Sequence, residues 1–163
     1  MDSNKPVKRW RFDTVGAIEA PVVNAGSAIY VSGKDTNLYK LSADTGKQEW
    51  KIYTGAFLTT SARVTQTTVY QYATNKGLYA IDANSGKQLW LLPEGTELLA
   101  QNGNTAYVFD KNNVCVVMDN TKAGKVYTVN FASVTSCAAN PYDAKIYVME
   151  GKNISCIQPI IKK

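Results

Sequence analysis

The side chains that most often do chemistry in proteins are few in this chain and poorly grouped. There is no histidine, which removes the commonest general base and the commonest metal ligand. The cysteines, Cys115, Cys137 and Cys156, are odd in number and widely spaced, so they make neither a closed disulfide framework nor the CxxC spacing of a zinc or redox pair. Buried, inert thiols are the expectation for them. One disulfide with a free thiol left over stays open, because neighbouring strands can bring distant cysteines together. The acids Asp110, Asp119, Asp143 and Glu150 follow no metal-loop spacing. Gly33-Lys34-Asp35 and Gly151-Lys152-Asn153 contain the Gly-Lys pair of a phosphate loop. Each reads as a hairpin turn with no helix after it, and the helix N-terminus is what gives such a loop its hold on phosphate. Serines and thiols with no imidazole to activate them leave Ser-Lys chemistry, which no spacing here supports.

The elements that would position any such residue announce themselves by repetition. Thr45-Gly46-Lys47-Gln48-Glu49-Trp50 returns 40 residues later as Ser85-Gly86-Lys87-Gln88-Leu89-Trp90. The units open alike, Trp10-Arg11-Phe12-Asp13-Thr14 answering Trp50-Lys51-Ile52-Tyr53-Thr54. A second run follows, Ala28-Ile29-Tyr30-Val31 against Thr68-Val69-Tyr70-Gln71-Tyr72, and then a third, Asn37-Leu38-Tyr39-Lys40-Leu41 against Gly77-Leu78-Tyr79-Ala80-Ile81. A turn at Asp44-Thr45-Gly46 or Asn84-Ser85-Gly86 leads into a fourth run ending at the Trp, with Gly where positive φ is needed. A third unit keeps Ala106-Tyr107-Val108-Phe109, Asn113-Val114-Cys115-Val116-Val117-Met118 and the turn Lys122-Ala123-Gly124-Lys125, with Thr128 at the Trp position. The fourth offers Lys145-Ile146-Tyr147-Val148-Met149 and Asn153-Ile154-Ser155-Cys156-Ile157, then stops at Pro159 one strand short. Short alternating runs with β-branched and aromatic residues predict four-stranded antiparallel meanders, and a period near 40 is that of propeller blades. No segment shows helical periodicity.

With 163 residues and 45% hydrophobic content, the chain can bury a core as one domain or part of one. No apolar run approaches the roughly 20 residues of a membrane-spanning helix. Met1-Asp2-Ser3-Asn4-Lys5-Pro6 has no apolar stretch of signal-peptide type, leaving a cytosolic chain or one whose leader has been removed. The net charge of +5 comes from scattered basic residues. Only Lys5, Lys8, Arg9 and Arg11, and Lys162 with Lys163, form clusters, so no nucleic-acid groove is expected.

From Ala80 to Trp90 the pattern A-x-D-x-x-T-G-K-x-x-W is complete except for Ser85 in place of Thr. This resembles the tryptophan-docking motif of the PQQ-like β-propellers, the repeats of quinoprotein alcohol dehydrogenases and of outer-membrane assembly lipoproteins of the BamB type. The first unit keeps Thr45, Gly46, Lys47 and Trp50 but has Lys40 and Ser42 in place of Ala and Asp; the third keeps only Gly124 and Lys125. The resemblance implies an all-β fold of about four propeller blades, half of a ring or a partial propeller, over residues 1–163: about 10–50, 50–90, 91–128 and 129–163. Trp10, Trp50 and Trp90, with Gly46, Gly86, Asp82 and Ala80, are then the structural blade-docking residues, and Asp82 is read as satisfying amides of its own turn. Lys5 to Trp10 stands where the end of a preceding unit would stand. It completes the last blade within one chain, or in a second copy so that a homodimer closes an eight-bladed ring; a segment of a longer polypeptide is the remaining reading.

Quinoproteins of this family bind pyrroloquinoline quinone with calcium, using a vicinal cysteine pair, a catalytic Asp and calcium ligands near the axis. Nothing in this sequence matches that set, so no catalytic, cofactor-binding or metal residues are assigned and no cofactor is expected. The favoured expectation is a non-enzymatic scaffold presenting loops to a protein partner. The alternative is a ligand-binding sensor propeller of a larger receptor or kinase using the axial channel, and a fragment of a PQQ-dependent dehydrogenase ranks last. The resemblance also implies an extracytoplasmic location. Tyr53, Phe57 and Leu58 are contact candidates, weighed against the plainer reading that they fill a blade interface.

Overall fold

The computed structural model describes residues 5–131 and 133–158. It is all-β: there are fifteen strands and no helix among the described residues, so none is long and apolar enough to cross a membrane. The first sheet is β1 (Val23–Ala25), β2 (Ala28–Ser32), β3 (Asn37–Ser42) and β4 (Gln48–Tyr53). The second is β5 (Arg63–Val64), β6 (Thr68–Ala73), β7 (Gly77–Asp82) and β8 (Gln88–Leu92). The third is β9 (Gly95–Asn102), β10 (Thr105–Asp110), β11 (Val114–Asp119) and β12 (Gly124–Asn130). The fourth has three strands, β13 (Ser136–Ala138), β14 (Ile146–Glu150) and β15 (Asn153–Ile157). Each sheet is a meander in which consecutive strands pair antiparallel.

The runs that the sequence separates at the tryptophan are one strand, since β4 passes through Trp50 to Tyr53 and β8 through Trp90 to Leu92. The first strand of each of these sheets is instead a short piece, β1 or β5, at the other edge. These pieces are too short for alternation to register, which is why the sequence conceals them. Both Gly-Lys pairs lie in hairpin turns: Gly33 N–H closes the β2–β3 turn onto Asn37 O, and Gly151-Lys152 is the two-residue loop between β14 and β15.

A sheet with two apolar faces is stable only when both are covered, and here the sheets cover one another in sequence. Ala28, Tyr30, Leu38 and Trp50 of the first sheet pack on Val69, Tyr79 and Ile81 of the second. Tyr70, Leu78, Ala80 and Trp90 pack on Leu98, Ala106, Val108 and Val116 of the third. Tyr107, Cys115 and Val117 pack on Ile146 and Val148 of the fourth. The remaining face of the first sheet, Val31, Tyr39 and Leu41, is covered by Phe12, whose ring meets Tyr39 edge-on at 5.4 Å. Among the described residues, no buried apolar cluster joins the fourth sheet to the first.

Candidate functional site

The conspicuous built sites are the three seats where a tryptophan on one unit meets the turn of the next. Trp50 starts from β4, opposite Lys40, and its indole N–H donates to Ala83 O at 3.1 Å. Its ring lies so close to Gly86 that an added Cβ would come within 2.7 Å of it. Gly86 also holds φ at 71°, so the position excludes side chains twice over. Trp10 repeats the arrangement, donating to Ala43 O at 2.8 Å and lying over Gly46, whose φ is 68°. The turn beneath Trp50 is fixed by Asp82, whose Oδ1 accepts both the Ser85 amide and its hydroxyl at 2.7 Å. Those bonds hold the Asp82 carboxyl below the usual carboxylate range. Ala80, fully buried, pairs with Trp90 across β7 and β8. Lys40 replaces that alanine in the first sheet and uses its length: Nζ reaches Ala83 O at 3.1 Å and Glu49 at 2.9 Å.

The third seat is built differently. Trp90 donates to the side-chain Oδ1 of Asn120 at 2.7 Å, and Asn120 Nδ2 donates to the Tyr70 hydroxyl at 2.7 Å. The Tyr70 hydroxyl in turn donates to Gln101 Oε1 at 2.8 Å, which also accepts from Thr65. Burial pushes the Tyr70 phenol up to about 12, against the opposing bonds from Asn120 and Thr68, so it stays a neutral donor. Strand register corrects the sequence alignment of this unit. Trp50 and Trp90 each immediately follow a bulge, and in β12 that place belongs to Tyr127, opposite Val117. Thr128 is therefore not at the Trp position. Likewise Ala123, with φ of 54°, takes the place of Gly46 and Gly86, and Asp119, bonded to the Thr121 and Lys122 amides, takes that of Asp82. Matching Gly124-Lys125 by identity had displaced the frame by one residue.

Other side chains that tie sheets together gave no signal in the repeat. Arg63 on β5 grips Glu97 on β9 with two nitrogens, at 3.1 and 2.8 Å. Gln71, wholly buried, accepts from Ser32 of the first sheet at 2.8 Å and donates to Thr60 O and Tyr72 O. Of the cysteines, Cys115 is buried, Cys137 half-buried and Cys156 exposed, and all are free. Burial, then Asp110 and Cys137, push the Cys115 thiol up to about 12, leaving it unreactive. Cys156 departs from the expectation of burial because no fourth strand lies beside β15 among the described residues.

Two surfaces remain accessible. A cavity of about 810 Å³ opens where the turns of all four sheets converge, between Tyr30, Lys40, Thr67, Gln101, Tyr142 and Asp143. Around the β2–β3 turn, Tyr53 and Phe57 are 72% and 56% exposed, whereas Leu58 is buried between the first and second sheets. The aromatic loop is firmly held. Thr54 donates to Thr36 O at 2.9 Å and to Ala56 O at 3.0 Å, Tyr79 donates to Thr54 O at 2.8 Å, and the Lys34 ammonium stands 5.8 Å from the Phe57 ring. No group of three or more metal-ligating side chains stands together among the described residues.

The architecture has solved counterparts. BamB from Moraxella catarrhalis superposes with a TM-score of 0.68 at 17% identity, covering 92% of this chain and 49% of its own. This chain thus spans about half the length of that structure. The computationally designed Ika4 protein matches with a TM-score of 0.65 at 14% identity, over 90% of this chain and 93% of its own. U3-55K matches with a TM-score of 0.62 at 13% identity, over 90% of this chain and 53% of its own. At these identities the likeness is one of fold, a β-propeller whose sheets are its blades. No curated protein matches by sequence. The family profile described as outer membrane protein assembly factor BamB matches residues 4–135, and on that extent the chain belongs to the BamB family of PQQ-like β-propellers.

Proposed function

We propose that this chain is a non-enzymatic propeller scaffold that binds a protein partner, and that it serves the assembly of outer-membrane proteins as its family description indicates. In this reading Trp10, Trp50 and Trp90, with Gly46, Gly86, Ala80 and Asp82, are blade-docking residues, and they keep the loops rigid. The observation that carries it is the pair Tyr53 and Phe57, exposed on a loop that Thr54 and Tyr79 hold in place. Aromatic side chains presented without an ordering cost are the usual anchors of protein interfaces. A photoreactive residue at position 57, introduced in cells, tests this: crosslinking to a component of outer-membrane assembly, lost on adding Tyr53→Ala, is expected. Crosslinking that survives Tyr53→Ala, or none to any protein, would sink it.

The cavity at the opposite ends of the strands supports a second reading, a ligand-binding sensor. Its lining mixes tyrosine with amide and hydroxyl side chains from four sheets, the composition of a site for a polar molecule. Thermal shift against a panel of polar metabolites, with Tyr142→Ala and Gln101→Ala as controls, separates it from the first. A homodimer closing an eight-bladed ring is the quaternary form we assign to the scaffold.

A further inference from the structure

Resting on the ligand-binding reading of the cavity at the converging turns, we propose that its ligand is a neutral saccharide. The Tyr30 hydroxyl and the side-chain amides of Gln66, Asn84 and Asn102 are its hydrogen-bonding groups, and the Tyr142 ring is the surface on which a sugar ring stacks.

Tyr30 and Tyr70 hold the same place in the first and second sheets, 40 residues apart. Each ring lies tilted at 5.8 Å from the tryptophan of its own sheet. Their hydroxyls fare differently. Tyr70 is bonded to Asn120, just after β11, and to Gln101 on β9. One matching place beside Tyr30 belongs to Ala83, whose amide donates to Thr67 O as that of Asn120 donates to Asn104 O. The other belongs to Val64, which pairs with Val69 as Gln101 pairs with Ala106. Neither side chain offers a partner. Tyr30 is only 4% exposed, yet its hydroxyl makes no hydrogen bond to the described residues. Every fully buried side-chain polar atom among them has a partner, so this hydroxyl is not sealed. It opens on the cavity that Tyr30, Val64 and Ala83 line together. An enclosed phenol of this kind takes its hydrogen bond from what enters the cavity.

The rest of the wall decides the ligand's charge. Among the described residues its charged side chains are Lys40 and Asp143. Both are already neutralised, Lys40 by Glu49 at 2.9 Å and Asp143 by Lys145 at 2.9 Å. A phosphate or carboxylate would therefore meet no uncommitted cation there, and an amine no uncommitted carboxylate; a charge buried without a partner is unfavourable. Gln101 is committed too, its nitrogen to Thr67 and Gly103 O and its oxygen to Tyr70 and Thr65. It stiffens the wall. The side chains of Gln66, Asn84 and Asn102, in three different turns, bond none of the described residues. Amides and a phenol both donate and accept, and so does each hydroxyl of a sugar. The apolar face of a sugar ring suits Tyr142, whose ring is 90% exposed at the cavity mouth. The space of about 810 Å³ admits more than one such ring, since drug-sized ligands occupy roughly 300–1,000 Å³.

Isothermal titration calorimetry with maltotriose, cellotriose and chitotriose tests this. At least one should bind the parent, and Tyr30→Phe, which keeps the ring against Trp50, should weaken that binding about tenfold without lowering the melting temperature. Val64→Gln, which gives Tyr30 the partner that Gln101 gives Tyr70, should weaken it as much. Tyr53→Ala, at the other ends of the strands, should leave it unchanged. Sugar binding that survives either cavity substitution overturns the site. If no sugar binds while a charged metabolite raises the melting temperature of the parent but not of Tyr142→Ala, the cavity is a ligand site and the saccharide assignment is wrong. If neither sugars nor metabolites bind, both readings fall, and crosslinking at position 57 tests protein binding independently of them.

Discussion

Asn120 does by side chain what Ala43 and Ala83 do by backbone: it receives the indole N–H of the preceding tryptophan. A backbone acceptor survives any substitution, but Asn120→Ala would leave the Trp90 N–H without its acceptor in a buried site. That should cost about 1–3 kcal/mol, and the loss of the bond to Tyr70 falls in the same place. Denaturant unfolding of Asn120→Ala and Ala83→Ser checks the contrast, with a large loss expected only in the first. Asp35 carries a second, pH-dependent attachment. Burial pushes its carboxyl up, but the Tyr39 hydroxyl and the amides of Asn37, Gly16 and Val15 outweigh that and hold it below the usual range. Because the folded value lies below the unfolded value of about 3.9, the contribution is complete above that value and drains away as pH falls through the lower one. The bonds involved tie Val15 and Gly16 to the β2–β3 turn, so the segment bearing Trp10 is what should loosen. The stability difference between the parent and Asp35→Asn is expected to be full at pH 5 and above and to vanish in acid; a difference independent of pH would contradict it.

The turn between the third and fourth strands is the element that decides how well each blade receives its neighbour's aromatic. Gly86 needs positive φ and also lies against Trp50, so Gly86→Ala should cost more than the ~1 kcal/mol of backbone strain alone. Ala123 occupies the same place with a Cβ at φ of 54°, so Ala123→Gly should stabilise the third blade by about 1 kcal/mol. Thermal melts of both variants decide this, and the same sign for the two would refute the alignment. The turns were the legible part of the sequence. Gly46, Gly86 and the tryptophans are demanded by backbone conformation and by close approach, and such demands tolerate few residue types. The third unit misled because Ala123 and Tyr127 meet the same demands imperfectly, so identity pointed to Gly124 while hydrogen-bond register points one residue earlier. The inner strands β1 and β5 were hidden because two or three residues are too few for alternation to register. The Arg63–Glu97, Ser32–Gln71 and Tyr70–Asn120 contacts were hidden because they join residues 34 to 50 apart in sequence, and no local pattern is needed to make them.

At the scale of the whole molecule, stability should follow the number of neighbours each sheet has, because blades stacked in an array interact with the next and not beyond. The second sheet lies between two buried clusters, and Val69, Leu78, Ala80 and Ile81 are sealed within them. The third is likewise flanked on both sides. The first has one full neighbour and the small cluster closed by Phe12, and among the described residues the fourth has a single neighbour and an exposed β15. Amide exchange should therefore be slowest in β6 and β7, intermediate in β2, and fastest in β15, where opening needs no other sheet to move. Exchange measured by mass spectrometry reads this order directly, and uniform protection in all four sheets would mean instead that the molecule opens as one unit.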